Sequence, residues 1–261
     1  MINPALRIAK QFRMDGKVAI VTGGSKGIGA SIARGLAEFG AQVVVSSRNQ
    51  EAVDAIASEL VNDGFDAIGV ACKVGDLEDM TRLYEATMAK YGGVDIIVNN
   101  AATNPVYGPV ENVSDDVFDK IINVNTKGPW QLAKLALDSM KSRGGGSIIN
   151  IASVEGLRPS QGIGLYGVSK AALISISQVL AKEWGKYGIR VNAICPGLIK
   201  TKFSQALWSN EKILNQVEKH LPSGRMAEPD EMAGLAVYLA SPAASYVTGS
   251  VFVADGGHMI A

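Results

Sequence analysis

Short apolar runs, hydrophobic at consecutive positions, alternate along this chain with longer stretches whose apolar residues recur at helical spacing. Residues 17–23 (KVAIVTG), 41–47 (AQVVVSS), 66–72, 94–100, 146–153, 189–196 and 249–255 predict strands. Residues 27–39, 50–62, 77–91, 115–142 and 165–186 predict helices; in the first of these Ile28, Ile32, Leu36 and Phe39 share one side. A strand that is apolar at consecutive positions is buried on both faces, and regular alternation with helices makes the strands parallel. The predicted fold is α/β: a single doubly wound parallel β-sheet of the Rossmann type, with helices on both faces. No repeat, low-complexity tract or linker interrupts the rhythm, so residues 1–261 read as one domain. One stretch, 198–226, is longer than a crossover needs and carries Phe203, Leu207, Trp208, Ile213 and Leu214 beyond a strand end. Packing against the body and an apolar lid over a site are both open for it.

Composition narrows the function classes. The 261 residues are 47% apolar and 19% charged, enough for a substantial core. Lys plus Arg and Asp plus Glu number 25 each, so no net field draws the chain to nucleic acid or to an anionic membrane. The N-terminal stretch MINPALRIAKQFRMDGK is too polar for a signal peptide, and no apolar run approaches a membrane span; a cytoplasmic location is expected. Cys72 and Cys195 each close an apolar run and are expected as buried free thiols. His220 and His258 are far apart and belong to no metal-spaced cluster, so no metal site is expected.

The first candidate chemistry lies between the first strand and the first helix. Residues 22–29 read TGGSKGIG, with Gly23, Gly27 and Gly29 placed to let the backbone approach a pyrophosphate at a helix N-terminus. A site preferring NAD(H) places Asp or Glu at the end of the second strand, to hold the ribose 2′-hydroxyl. Here that strand ends in Ser46, Ser47 and Arg48. Arg48, with Lys26 of the glycine loop, would pair with a 2′-phosphate. The expected cofactor is NADP(H), with NAD(H) as the alternative.

Five motifs, in order and at strand ends, carry a resemblance: TGGSKGIG, NNAA (99–102), Asn125 in NVNTKG, Ser153 with YGVSK (166–170), and PGLIKT (196–201). Together they resemble the short-chain dehydrogenase/reductase family over nearly the whole chain, from Lys17 to Gly257. The resemblance implies a catalytic tetrad of Asn125, Ser153, Tyr166 and Lys170. It also implies a cofactor site drawn from Gly23, Ser25, Lys26, Gly27, Ile28, Gly29, Ser47, Arg48, Val74, Asn100, Ala101, Tyr166, Lys170, Pro196, Gly197, Ile199 and Thr201.

Hydride transfer to a ketone leaves charge on oxygen, so a proton donor is required. Tyr166 and Lys170 stand at i and i+4, on one helix face. An ammonium about 4–5 Å from the phenol contributes roughly 3–4 kcal/mol and would bring Tyr166 down toward neutrality. Ser153 would hold the substrate carbonyl. Asn125 corresponds to the family's asparagine that holds a water leading from the lysine to solvent. Ile199 and Thr201 would face the nicotinamide carboxamide.

Two positions depart from the family pattern. Ala102 replaces the usual glycine and therefore needs a negative φ. Lys73 stands where an aspartate often meets the adenine, which leaves that contact to backbone near Val74.

VVVSSRNQEAV, NAATNPVYG and PGLIKTKFSQALW are most similar to NADPH-dependent carbonyl and retinal reductases, implying reduction of an apolar ketone or dicarbonyl. The C-terminal Met-Ile-Ala is not a Ser-Lys-Leu-like peroxisomal signal, so that organelle is not expected. A 3-oxoacyl-thioester (acyl carrier protein) reductase, a polyol or sugar dehydrogenase, and a non-catalytic dinucleotide-sensing protein stay open. The partner expected is a small carbonyl or alcohol. Apolar residues on more than one side of helix 165–184 predict packing against further copies, as a homotetramer or homodimer.

Overall fold

The computed structural model describes residues 7–261; the first six residues of the polar N-terminal stretch lie outside the described residues. A short helix α1 (Arg7–Gln11) leads into β1 (Val18–Thr22), α2 (Gly27–Glu38), β2 (Gln42–Ser47), α3 (Gln50–Asn62), β3 (Ala67–Ala71), α4 (Leu77–Tyr91) and β4 (Ile96–Asn99). Then come α5 (Asp115–Ile122), α6 (Gly128–Ser142), β5 (Gly146–Ile151), α7 (Gly164–Trp184) and β6 (Ile189–Pro196). Two short helices, α8 (Gln205–Trp208) and α9 (Glu211–Lys219), precede α10 (Ala233–Ala240) and β7 (Val251–Ala254).

The strands form one seven-stranded sheet in the order β3-β2-β1-β4-β5-β6-β7, every pairing parallel. Consecutive apolar residues serve opposite faces, as the pleat requires. Ala19 and Val21 of β1, with Val43 and Val45 of β2 and Ile96 and Val98 of β4, join the core under α2, α3 and α10. Ile20, Val44 and Ile97 between them point into the second core, under α4, α6 and α7. Burying an aliphatic side chain of this size is worth about 1.5–3 kcal/mol, which is why the central strands tolerate so little polarity.

The chain reverses direction across the sheet between β1 and β4, so the loops after these two strands splay apart and leave a crevice at their C-terminal ends. Thr22 and Asn100 stitch its floor. The Thr22 hydroxyl accepts from the N–H groups of Asn100 and Ala101, at 3.1 and 3.2 Å. The Asn100 amide donates back to the carbonyls of Thr22 and Gly23, both at 3.1 Å.

The structure adds to the sequence expectations at three places. The helix expected over 115–142 is two helices joined by a π-helical turn, Asn123–Lys127, and Asn125 sits in that turn. Helix α10 was not expected; its apolar residues are nearly continuous, so no helical stripe marks it. The 198–226 stretch is an excursion with pinned feet: Ile199 and Ala227 form a β-bridge, and Lys200 pairs with Glu228 at 3.5 Å. Helix α7 is long and apolar enough to cross a membrane by length and composition, but its buried residues, among them Leu173, Leu180 and Trp184, face the sheet.

Candidate active site

The glycine loop is shaped for close approach. Gly23 has φ +64°, and a Cβ there would lie 2.7 Å from the Asn100 amide nitrogen. A Cβ on Gly29 would meet the Gly23 carbonyl at 2.3 Å, so the loop closes only with glycine at this point. Lys26, extended and exposed, precedes α2 and makes no side-chain cap, so the first N–H groups of the helix receive no side-chain acceptor. Ser25, Gly27 and Ile28 are half-buried around this opening. Free N–H groups, a helix dipole and a cradle without side chains fit the pyrophosphate of a dinucleotide.

The second strand ends beside this loop, through the Gly24 N–H to Ser46 carbonyl bond of 2.9 Å. Ser47 is half-buried and Arg48 is exposed next to it. Asn49 caps α3 through the Ala52 N–H, which fixes the backbone that carries Arg48. Val74 is buried beyond β3, while Lys73 is exposed with its N–H on the Asp79 carboxylate. No carboxylate stands at the end of β2, as the sequence indicated.

Tyr166 lies in the first turn of α7 and Lys170 one turn on. The Lys170 Nζ sits 5.5 Å from the Tyr166 ring centroid and donates to the Ile151 carbonyl at 2.7 Å. Ser153 follows the same strand in extended backbone, and its Oγ accepts from the Glu155 N–H at 3.1 Å. Asn125 is wholly buried. Its Oδ1 accepts from the Thr103 N–H at 2.8 Å, and its Nδ2 donates to the Thr103 carbonyl at 2.9 Å and to Ser169 Oγ at 3.0 Å. Both amide hydrogens are used. The Asn125 side chain is therefore a brace between the loop after β4 and helix α7.

Burial governs the electrostatics of the Tyr166–Lys170 pair. Burial pushes the Tyr166 phenol well above its ordinary value; the Ser153 hydroxyl opposes this, while Glu155 and Cys195 add to it. The Lys170 amine is buried as well, which pushes it down to about 8. Cys195, wholly buried beneath the site, is pushed up by burial to about 11; Cys72 is likewise buried, and both are free thiols.

The PGLIKT segment crosses the mouth. The Gly197 N–H binds the Ala254 carbonyl at 3.0 Å, Pro196 and Ile199 are buried, and Thr201 lies against the phosphate loop, where a Cβ on Gly27 would meet its methyl at 3.2 Å. Two residues on, the Phe203 ring packs on Tyr166 with centroids 5.5 Å apart. Ser204 and Trp208 tie this turn down: Ser204 Oγ donates to the Ile199 carbonyl, and the Trp208 indole N–H to the Thr201 carbonyl at 3.0 Å. Ala102 needs no left-handed backbone, since every positive φ among the described residues belongs to glycine.

Two residues here escaped the sequence reading. Ser169, buried between Tyr166 and Lys170, receives both Asn125 and the Thr126 hydroxyl; a serine on the inner face of an apolar helix was the available signal. Glu155, two residues after Ser153, gives no signal of its own in the sequence.

The family model described as enoyl-(acyl carrier protein) reductase matches residues 23–259. Dehydrogenase/reductase SDR family member 4 of Oryctolagus cuniculus is 42% identical over 250 residues, 96% of each chain. The Homo sapiens protein of that name is 42% identical over 241 residues, 92% of this chain and 87% of the human one. Among solved structures, a gluconate 5-dehydrogenase from Burkholderia cenocepacia J2315, in complex with NADP and tartrate, matches with TM-score 0.92 at 33% identity, covering 97% of this chain and 99% of that one. A putative NAD(P)-dependent gluconate 5-dehydrogenase from Beutenbergia cavernae, with NADP bound at low occupancy, matches at 0.91 and 35%, covering 96% and 100%. A glycine loop at the switch point of a parallel sheet, a Ser–Tyr–Lys group beside it, and this breadth of similarity place the chain in the short-chain dehydrogenase/reductase family, among NAD(P)-dependent oxidoreductases of carbonyls and alcohols.

Proposed function

We propose that the protein reduces an apolar ketone or dicarbonyl with NADPH, working as one domain whose 198–226 excursion is a substrate lid. The observation that carries this reading is the Phe203 ring on the Tyr166 ring, which gives the reacting carbonyl an aromatic neighbour in place of a polar one. Similarity to the curated dehydrogenase/reductases supports the reaction class. When bound, the nicotinamide supplies the hydride. Tyr166 delivers the proton, Ser153 donates to the carbonyl oxygen, and Lys170 holds the cofactor ribose and favours the phenolate. Asn125 holds helix α7 in register through Ser169. Arg48 and Lys26 are the residues for a 2′-phosphate; their exposure leaves both free to reach one, and the missing carboxylate removes the usual contact to NAD.

Val168 and Val179 on the outer side of α7 are 51% and 50% exposed, with Phe118 of α5 and Trp130 of α6 also open to solvent. This supports a homotetramer or homodimer built on these helices; a monomeric mass in light scattering at micromolar protein would remove that part of the proposal. The neutral charge balance supports a protein without nucleic-acid or anionic-membrane partners, and a cytoplasmic location is part of the proposal.

The test is absorbance at 340 nm with NADPH and NADH in parallel, against an α-diketone, an aromatic ketone, an acetoacetyl thioester and a ketose. Loss specific to NADPH with the first two supports the proposal. Loss mainly with the thioester favours the acyl-carrier reading that the family model's description suggests. Loss mainly with the ketose favours a sugar or polyol enzyme like the named structural neighbours. Silence with all four, despite NADPH binding, leaves an enzyme of narrow substrate range or a sensor.

A further inference from the structure

The turn directly after Ser153 holds a carboxylate that the chemistry above does not use. Val154–Gly156 is a single 3-10 turn pressed against the start of α7: a Cβ on Gly156 would lie 2.8 Å from the Ala171 nitrogen, and one on Gly167 would lie 2.8 Å from the Glu155 carbonyl. Glu155 therefore stands between Ser153, whose Oγ takes its N–H, and the helix turn that carries Tyr166.

Its side chain is half-buried and does not swing free. Both carboxylate oxygens are engaged by Ser160, one by the N–H at 2.7 Å and the other by the hydroxyl at 2.8 Å, so the loop returning to α7 wraps around the charge. Among the described residues it joins no ion pair. Arg158 of the same loop is exposed, and the Lys170 amine is turned to the Ile151 carbonyl. The carboxylate's charge reaches the Tyr166 phenol and opposes its ionisation.

We infer that Glu155 sets the charge selectivity of the substrate site: a carboxylate without an ion-pair partner, two residues from Ser153 and on the turn packed against the start of α7, admits neutral and cationic carbonyl compounds and turns away anionic ones. The inference rests on the carbonyl-reductase reading and deepens it, since it separates neutral or amine-bearing ketones from oxo-acids. The same hydrogen-bonded Glu155 that shapes the loop thus acts on the substrate through its charge.

The experiment compares 4-acetylbenzamide, 4-acetylbenzoate and 4-(aminomethyl)acetophenone, which differ in charge and little in shape, as substrates with NADPH. For the wild type, kcat/KM for the benzoate falls about ten-fold below that for the benzamide, as expected for like charges in a partly screened site. Glu155→Gln raises the benzoate-to-benzamide ratio about ten-fold, mainly through KM, and lowers the aminomethyl-to-benzamide ratio. Ser160→Ala removes one of the two bonds that hold the carboxylate and keeps its charge, so both ratios move much less than in Glu155→Gln; a purely structural Glu155 would make the two variants alike.

Calorimetric titration of 4-methylbenzoate and 4-methylbenzamide into the protein with NADP gives the same comparison without turnover. If no ketone is reduced but the affinity ratio moves in Glu155→Gln, the reductase reading falls and the charge selectivity stands. If ketones are reduced and neither ratio moves, Glu155 has no such role.

Discussion

The Phe203 ring rests against the Tyr166 ring, centroids 5.5 Å apart and planes inclined at 40°, although Phe203 lies in the 198–226 excursion and remains 60% exposed. The contact joins the 198–226 excursion to the proposed proton donor. Such a pair contributes about 0.5–1.5 kcal/mol beyond area burial, and the exposed face of Phe203 is left for the substrate. Phe203→Ala is expected to raise KM for an aromatic ketone by about three- to ten-fold and to leave a small diketone, which reaches less of the ring, nearly unaffected. Equal losses for both substrates would mean that the ring holds the lid and makes no contact with substrate.

The tyrosine itself gives a sharper expectation. Tyr166→Phe removes one hydroxyl and keeps the ring that packs on Phe203. General-acid catalysis is worth about 10²–10⁴, so kcat is expected to fall by that order, while the Kd for NADPH, read from its fluorescence, stays within about two-fold. A variant that keeps most of its turnover would transfer the proton donor to another group.

Arg48 sits at the end of β2, where the sequence lacks the usual acid, on a backbone fixed by the Asn49 cap. Hydrogen bonds to charged groups contribute about 1.5–3 kcal/mol, so Arg48→Asp should shift the NADPH-to-NADH ratio of kcat/KM by about ten- to a hundred-fold toward NADH. A ratio that does not move would assign the 2′-phosphate to Lys26 or to another residue.

The parts of this molecule legible in the sequence are those set by local periodicity and backbone geometry. Runs such as KVAIVTG and IRVNAICP are apolar because both sheet faces are covered, and Gly29 must be glycine because Gly23 lies in its way. The π turn at Asn125 was not legible: its helix-like residues read as one long helix, and the break follows from bonds to Thr103 and Ser169, distant in sequence. The pairing of Phe203 with Tyr166 and the capture of Glu155 by Ser160 depend likewise on how loops return to α7. The burial of both Tyr166 and Lys170, which opposes charge on either group, is a tertiary property that the i, i+4 spacing does not reveal.

Lys170 itself carries a consequence for stability. It is 2% exposed, and burial pushes its amine from the ordinary 10.5 down to about 8. Below pH 8 both the folded and the unfolded chain hold this proton, and the folded protein bears the full cost of a buried ammonium. Between about 8 and 10.5 the folded state sheds the proton while the unfolded state keeps it, so stability rises with pH. Above 10.5 both states are neutral and the cost is gone. The drop in pKa corresponds to about 3 kcal/mol. Lys170→Met, which removes the titration, provides the reference. The cofactor-free wild type is expected to melt below this variant at pH 7.5 and to recover by roughly 6–12 °C relative to it by pH 10.5, given about 2–4 °C per kcal/mol for a domain of this size. Differential scanning fluorimetry of the two proteins across that range makes the measurement. A difference in Tm that stays constant with pH would mean that the Ile151 carbonyl keeps the amine charged at no cost, and that Lys170 is an ammonium before any cofactor arrives.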